Sequence, residues 1–264
     1  MVRLLIATQK GGDAKTTTTL ALARYFADGG CKVLVIDIDP QGHISTSLGL
    51  RAGEKNLHNF LIKNHTFKDC IVAAHRNIDV LNSSRDTVTT EATLMGHMGR
   101  ELTFRNVFPS VDKEYDVVLI DSAPSISLLQ TCAMIYTEQL LIPVSMDILS
   151  LQGAAASIET ARTLNGVFGT NIQPIALLPV KVDRRYQITT TILSSLDDIS
   201  KRLGVPVLPA IRTDSTPPKA TRERQFLVDY DPHCKAAEDY ANAFHALKDV
   251  IRSQLNGKLL QKEA

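Results

Sequence analysis

The sequence predicts an α/β fold, a doubly wound and mostly parallel sheet flanked by helices, in a single domain over residues 1–264. Three observations predict it. Short, almost continuously apolar segments recur along the chain, as strands buried on both faces of a parallel sheet must be. Stretches with helical spacing of apolar residues separate them. The first strand also runs straight into a glycine- and lysine-rich turn that opens a helix, a connection whose exposed N–H groups suit an anion.

Arg3–Thr8 (RLLIAT) forms the first strand. The first helix follows over residues 15–30 and closes at Gly29 and Gly30, where a helix end favours a left-handed residue. Lys32–Asp39 (KVLVIDID) is the second strand, and Ile78–Ser84 (IDVLNSS) a further one. Around the latter, Asn56–Thr103 is the least patterned part of the chain; its helices are expected to cover the sheet and to offer a partner contact. Asp116–Ala123 and Gln139–Ser145 are strands, separated by a helix over 128–138 and followed by one over 151–166. Pro174–Lys181 is the next strand, residues 192–204 a helix, and Gly204–Ile211 is expected to add another strand. In the last helix, 239–255, Leu247, Val250, Ile251 and Leu255 make an apolar stripe that should face the core.

A chain of 264 residues, 44% hydrophobic and 22% charged, is long enough to bury a sizeable core without covalent staples. Its formal net charge is +1, so any affinity for nucleic acid must come from a local patch. Cys31, Cys70, Cys132 and Cys234 are scattered without metal or disulfide spacing, which fits reduced thiols in a cytosol. The seven histidines show no ligand spacing and are assigned no role. The N-terminal apolar run is of strand length and reads neither as a secretory signal nor as a membrane span.

The chemistry concentrates in three motifs. The first reads Gln9-Lys10-Gly11-Gly12-Asp13-Ala14-Lys15-Thr16-Thr17. Gly11 and Gly12 let the backbone turn its N–H groups inward, and the helix start adds positive partial charge. Lys15 is placed to reach the β- and γ-phosphates of a nucleotide, the Thr16 hydroxyl to sit on Mg²⁺, and Thr17 to lie near the α-phosphate. The ordinary spelling, G-x-x-x-x-G-K-[ST], would need glycines where Gln9 and Ala14 stand. The second motif, Asp37-Ile38-Asp39-Pro40-Gln41-Gly42, ends the second strand; two carboxylates there require a metal or a donor network. The third, Asp121-Ser122-Ala123-Pro124, closes an apolar strand as a Walker B aspartate does.

Taken together, the three motifs resemble those of the ParA/MinD family of ATPases with a deviant Walker A loop, K-G-G-x-x-K-[ST]-[ST], followed by D-x-D-P-Q-G and D-x-x-P. The likeness covers nearly the whole chain and is most specific before residue 125. It is nearest to the ParA-like partition members that lack an N-terminal helix-turn-helix. The resemblance implies an ATPase that hydrolyses ATP slowly, with ATP and Mg²⁺ as cofactors. Two copies would sandwich two nucleotides, and Lys10 of each would reach the nucleotide held by the other, offsetting γ-phosphate charge. By the same resemblance Asp39 orients the attacking water, while Asp37, Asp121 and Thr16 hold Mg²⁺. The turn after Asp121 is a switch that senses the γ-phosphate. Asp147 through Gly153 lie along the dimer face, ALLPVKVDRR approaches the base, and a late loop that includes Asp214 lines the adenine. Lys10, Gly11, Gly12, Asp13, Ala14, Lys15, Thr16 and Thr17 complete the nucleotide-binding set, with Lys10, Lys15 and Asp39 catalytic.

Two positions depart from the family's spelling. Ala14 replaces a glycine but is small enough for a helix start. Asp13 replaces an apolar residue, and a carboxylate beside a triphosphate repels it by about 1 kcal/mol or more. It is expected either to point across the dimer toward a basic group such as the partner's Lys10, or to face solvent beside the site.

For function, the resemblance implies a cytoplasmic, nucleoid-associated protein. As an ATP-bound homodimer it would bind DNA nonspecifically, move a plasmid, chromosome or other cargo, and let go when a ParB-like partner stimulates hydrolysis. Arg184, Arg185, Lys219, Arg222 and Arg224 are the candidate DNA contacts. A MinD-like membrane-associated spatial regulator is the alternative, although the tail after Gly257, KLLQKEA, lacks the aromatic and densely basic faces of an interfacial anchor. A nucleotide-switched binding module with negligible turnover is a third possibility. Cys132 stands without a second cysteine between Cys70 and Cys234, which argues against a cluster bridged between subunits.

Overall fold

The structure, a computed structural model, describes residues 1–51 and 53–260, with 255–260 described by backbone alone. Seven strands form one sheet in the order β3-β4-β2-β5-β1-β6-β7. They are β1 (Val2–Ile6), β2 (Val33–Asp37), β3 (Ile71–His75), β4 (Ile78–Leu81), β5 (Val117–Asp121), β6 (Gln139–Ser145) and β7 (Gln173–Val180). All neighbours are parallel except β3 and β4, which form an antiparallel hairpin at one edge.

The helices, in chain order, are α1 (Lys15–Asp28), α2 (His43–Leu48), α3 (Leu57–Leu61), α4 (Phe67–Cys70), α5 (Asp86–Leu94), α6 (Thr103–Val107) and α7 (Pro109–Asp112). They continue with α8 (Leu128–Thr137), α9 (Ile148–Phe168), α10 (Gln187–Leu203), α11 (Thr216–Arg222), α12 (Leu227–Tyr230) and α13 (Lys235–Leu260). Because side chains alternate along a strand, each central strand feeds two cores. Leu4, Ile6, Val33, Val35, Val117 and Leu119 face one way and pack with α1 and α13. Leu5, Leu34, Ile36, Val118 and Ile120 face the other way and pack with α8 and α9. Each such side chain, fully buried, contributes about 1.5–3 kcal/mol.

This is the doubly wound, mostly parallel sheet that the apolar runs predict. β6 has the predicted bounds, β2, β4 and β5 are shorter than predicted, β1 and β7 each begin one residue earlier and end sooner, and two assignments change. Gly204–Ile211 is not a strand: it makes the isolated bridge Leu177↔Val207, and a second isolated bridge, Val182↔Arg212, falls just beyond it. Pro206 and Pro209 lack the N–H that a continuous ladder needs. Conversely, β3 lies in the segment read as unpatterned; as a half-exposed edge strand it has no continuous burial to mark it. The first helix ends at Asp28, with Gly30 (φ +84°) as the left-handed residue. In α13, Leu247 and Ile251 are buried and Val250 packs against the same core, while the Leu255 side chain and residues 261–264 of the tail lie outside the described residues.

Candidate functional site

Strands β1, β2 and β5 are adjacent and parallel, so their carboxyl ends bring Asp37, Asp121 and the loop after Ile6 to one edge of the sheet. That loop, Ala7–Ala14, folds over the start of α1. No side chain caps α1, which leaves its first-turn N–H groups pointing at the cleft. Gly12 has φ +85°, a conformation that favours glycine. Ala14, expected to sit comfortably at a helix start, has φ +56°. It therefore carries left-handed strain that the absent glycine would not.

The two lysines leave this loop differently. Lys15 is buried, its Nζ donating to the carbonyl oxygens of Lys10 (2.9 Å) and Thr8 (3.4 Å). Burial lowers its pKa, against the attraction of Asp121, Asp13 and Asp39. Lys10 runs to the open side, where its Nζ donates to Asp147 Oδ2 at 2.8 Å and lies 3.5 Å from Asp13 Oδ1. Desolvation works against its charge, but these two carboxylates outweigh it and raise the Lys10 pKa. Asp147 also caps α9, accepting the Ser150 N–H at 2.9 Å.

Asp13 corrects both expectations held for it. It neither reaches across a dimer nor faces solvent: it is fully buried and accepts hydrogen bonds from Ser150 Oγ (2.5 Å) and Thr8 Oγ1 (3.3 Å) of its own chain. The sequence could not place it, because Ser150 arrives from α9.

Asp121 accepts from Thr16 Oγ1 at 2.7 Å and Thr19 Oγ1 at 3.2 Å. Burial pushes its pKa up to about 7. Asp37 accepts the Asp39 N–H (2.9 Å) and the Ile44 N–H (3.3 Å), yet burial and the neighbouring Asp121 charge push its pKa well above the carboxylate range. Two buried acids that resist ionisation alone are a donor set that a cation would satisfy. Thr16, Asp37 and Asp121 supply a hydroxyl and at most two carboxylates, with no cluster of three or more metal-binding side chains among the described residues. That fits Mg²⁺, which keeps several waters and takes its remaining ligands from phosphate. Asp39 accepts the Gln41 N–H at 2.9 Å and lies 3.7 Å from His43 Nδ1.

A cleft of about 500 Å³ opens beside these groups. Gly11 to Thr17, Asp39, His43 and Pro124 line it together with Val180, Lys181, Ile211, Arg212, Pro217, Pro218 and Tyr240 from the far half of the chain. The apolar members of the latter set can accept a flat ring. Asp214 lines the cleft too, but both of its oxygens serve the chain: they accept from Thr216 N and Oγ1 (2.8 and 2.7 Å) and from Ala236 N (2.9 Å). Burial pushes the Asp214 pKa up, and those hydrogen bonds bring it below the ordinary carboxylate value. These hydrogen bonds fix the loop from which Asp214 lines the cleft. His43, assigned no role from spacing, belongs to the site, as does Lys181, whose Nζ donates to the Gly12 carbonyl at 2.7 Å. The signal available for Lys181 was the end of an apolar strand, where site residues of such sheets collect.

The five candidate DNA contacts do not form one cluster of free cations. Arg185 pairs with Asp183 at 2.5 Å and Arg222 with Glu223 at 3.0 Å. Arg224 has φ +58° and packs against Gly49, while Arg184 and Lys219 are exposed. Cys132 is buried in α8, its thiol donating to the Arg100 carbonyl at 3.2 Å. No described helix is long and apolar enough to cross a membrane.

A family model described as an AAA domain matches residues 2–173. The chain is 27% identical over 242 residues to the sporulation initiation inhibitor protein Soj of Bacillus subtilis, an overlap of 90% of this chain and 94% of that protein. Among solved structures, it resembles cobyrinic acid a,c-diamide synthase from Mycobacterium smegmatis with bound ADP and magnesium. There the TM-score is 0.73 at 27% identity, covering 84% of this chain and 91% of the other. The Cyanothece McdA–ATP complex superposes with a TM-score of 0.83 over 95% of this chain and 96% of the other; at 18% identity the likeness is one of fold.

Proposed function

The chain belongs to the ParA/MinD family of P-loop ATPases, and from that premise we propose that it is a ParA-like partition or positioning ATPase. Its cofactors are ATP and Mg²⁺, as ADP and magnesium in the Mycobacterium smegmatis relative support. In the proposed cycle two ATP-bound copies close on each other, bind DNA without reading its sequence, and separate when a ParB-like partner accelerates slow hydrolysis. Its place is then the cytoplasm, on the nucleoid.

The observation that carries this reading is the divergence of the two lysines. Lys15 is buried and folded back on its own loop, where it serves a nucleotide in cis. Lys10 leaves the same loop on its open side, beside the start of α9, where a second copy would meet it. Exposed Ile148 and Leu149 flank that point, which supports a protein-covered face.

When bound, the nucleotide supplies the phosphoanhydride and Mg²⁺ the charge that neutralises it. The first-turn N–H groups of α1 and the Lys15 ammonium hold phosphate oxygens. Thr16, Asp121 and Asp37 hold the metal. Asp39, at the end of β2 with one oxygen on the Gln41 N–H, orients a water for attack. Val180, Ile211, Pro217 and Tyr240 enclose the base and exclude water. DNA binding rests on Arg184 and Lys219 with contributions from Arg185, Arg222 and Arg224, scattered cations whose number pairing doubles.

Binding to an arbitrary DNA duplex tests the reading, measured against salt with ATP, with ADP and with Lys10→Ala. Binding that needs ATP and Lys10 and falls steeply with salt is expected. Binding indifferent to nucleotide would overturn the partition reading, and an ATPase rate that stays near zero with DNA and partner present would favour the switched binding module.

A further inference from the structure

Asp13 puts a fully buried carboxylate into a loop built to receive phosphate. Such a charge persists only with compensating partners. Its Oδ2 takes the Ser150 and Thr8 hydroxyl hydrogens. Its Oδ1 has no hydrogen-bond partner, and its ion-pair partner is Lys10, whose Nζ lies 3.5 Å away. The same ammonium donates to Asp147 at 2.8 Å. One cation is thus shared by two carboxylates of its own chain, one buried and one at the surface. Ser150 fastens the group to the fold, since its Oγ also accepts the Ser145 N–H at 2.8 Å.

We propose that Asp13 is a positioning residue for Lys10: it holds the ammonium in cis, so that ATP-driven pairing must break this contact before Lys10 can reach a second copy's nucleotide. The assignment rests on the trans role proposed above for Lys10. Once Lys10 departs, Asp13 keeps a buried charge without that cation, an arrangement much less favourable than the pair. Asp13 is therefore a brake that raises the protein concentration at which pairs form. Asp147 makes the shorter contact with Lys10, but as a solvated surface carboxylate it loses less when the ammonium leaves, so the brake lies mainly in Asp13.

Asp13→Asn removes the charge while leaving an oxygen to accept from Ser150. Pairing is read by sedimentation velocity in Mg²⁺ and a non-hydrolysable ATP analogue, over a range of protein concentrations. The expected result is a dimer dissociation constant about tenfold lower for Asp13→Asn, a smaller drop for Asp147→Asn, and less than the product of the two in the double variant. A purely structural role for Asp13 gives loss of pairing, never gain. Should the amide variant not fold, Asp13→Thr, which also removes the charge and keeps an oxygen that can accept from Ser150, carries the same expectation. Lys10→Ala separates the two readings. If it pairs like the parent, the trans role fails and the assignment with it. If it abolishes pairing while Asp13→Asn pairs no more readily than the parent, the brake is wrong and the trans role stands.

Discussion

Ala14 and Asp121 both hold conformations or charges that their surroundings disfavour. A non-glycine residue at φ +56° costs about 1 kcal/mol. Ala14→Gly therefore should gain roughly 0.5–1 kcal/mol of stability in the nucleotide-free protein, less the added unfolded-state entropy of glycine. Chemical denaturation checks it, and a loss of stability would mean that the methyl group's packing outweighs the strain. Asp121 makes stability depend on pH. Its pKa is raised from 3.8 to about 7, mainly by burial, and Asp37 is raised beside it. Between those limits the folded state binds more protons than the unfolded one, so stability from this pair falls as pH rises through the window. Without nucleotide and Mg²⁺, the protein should melt at a higher temperature at about pH 5.5 than at about pH 7.5. Asp121→Asn should flatten that slope, and an unchanged slope would remove Asp121 as its source.

Helix α9 approaches the phosphate loop so closely that its first turns act as a wall of the site. A Cβ on Gly153 would stand 3.3 Å from Thr8 Oγ1 and 3.4 Å from the Gln9 carbonyl carbon and Lys10 Cβ. Gly153→Leu therefore has to displace loop backbone, and is expected to weaken ATP binding by about tenfold or more, on the order of 1.4 kcal/mol. Helix content should be kept, since leucine is the better helix former. Equilibrium binding of a fluorescent ATP analogue checks this, and undiminished affinity would show that α9 can shift aside. The element scale is also where sequence patterning is most and least informative. Buried parallel strands announce themselves, as in VLVID and VVLID, because both faces are apolar. The half-exposed edge strand β3 does not, and the apolar run at 204–211 misleads because its prolines cannot join a ladder. Asp147 could have moved the predicted start of α9 forward, being an N-cap residue ahead of an apolar run.

Across the whole molecule, the legible part of the site is what lies within one turn of a strand end. Lys15, Thr16, Asp37, Asp39 and Asp121 are brought together because three adjacent strands end at one edge, which motif order and strand patterning already imply. Lys181, Arg212 and Tyr240 come from the far half of the chain and line the cleft beside the loop; the end of an apolar strand pointed to Lys181, whereas nothing in the local pattern singled out Arg212 or Tyr240. On the proposed function, the same geometry would couple nucleotide, metal and assembly to stability. A ligand that binds only the folded state stabilises it by about 2.7 kcal/mol at a hundred times its dissociation constant. If ATP also joins two copies, the melting temperature with Mg²⁺ and a non-hydrolysable analogue should rise with protein concentration as well as with nucleotide. With ADP it should rise with nucleotide alone, because the γ-phosphate that Lys10 would meet is missing. A chelator should remove both gains if Thr16, Asp121 and Asp37 hold the cation as proposed. Thermal melts across a hundredfold range of protein concentration decide the matter. A melting temperature independent of protein concentration in the ATP state would leave the nucleotide bound within single chains and Lys10 without a second site to serve.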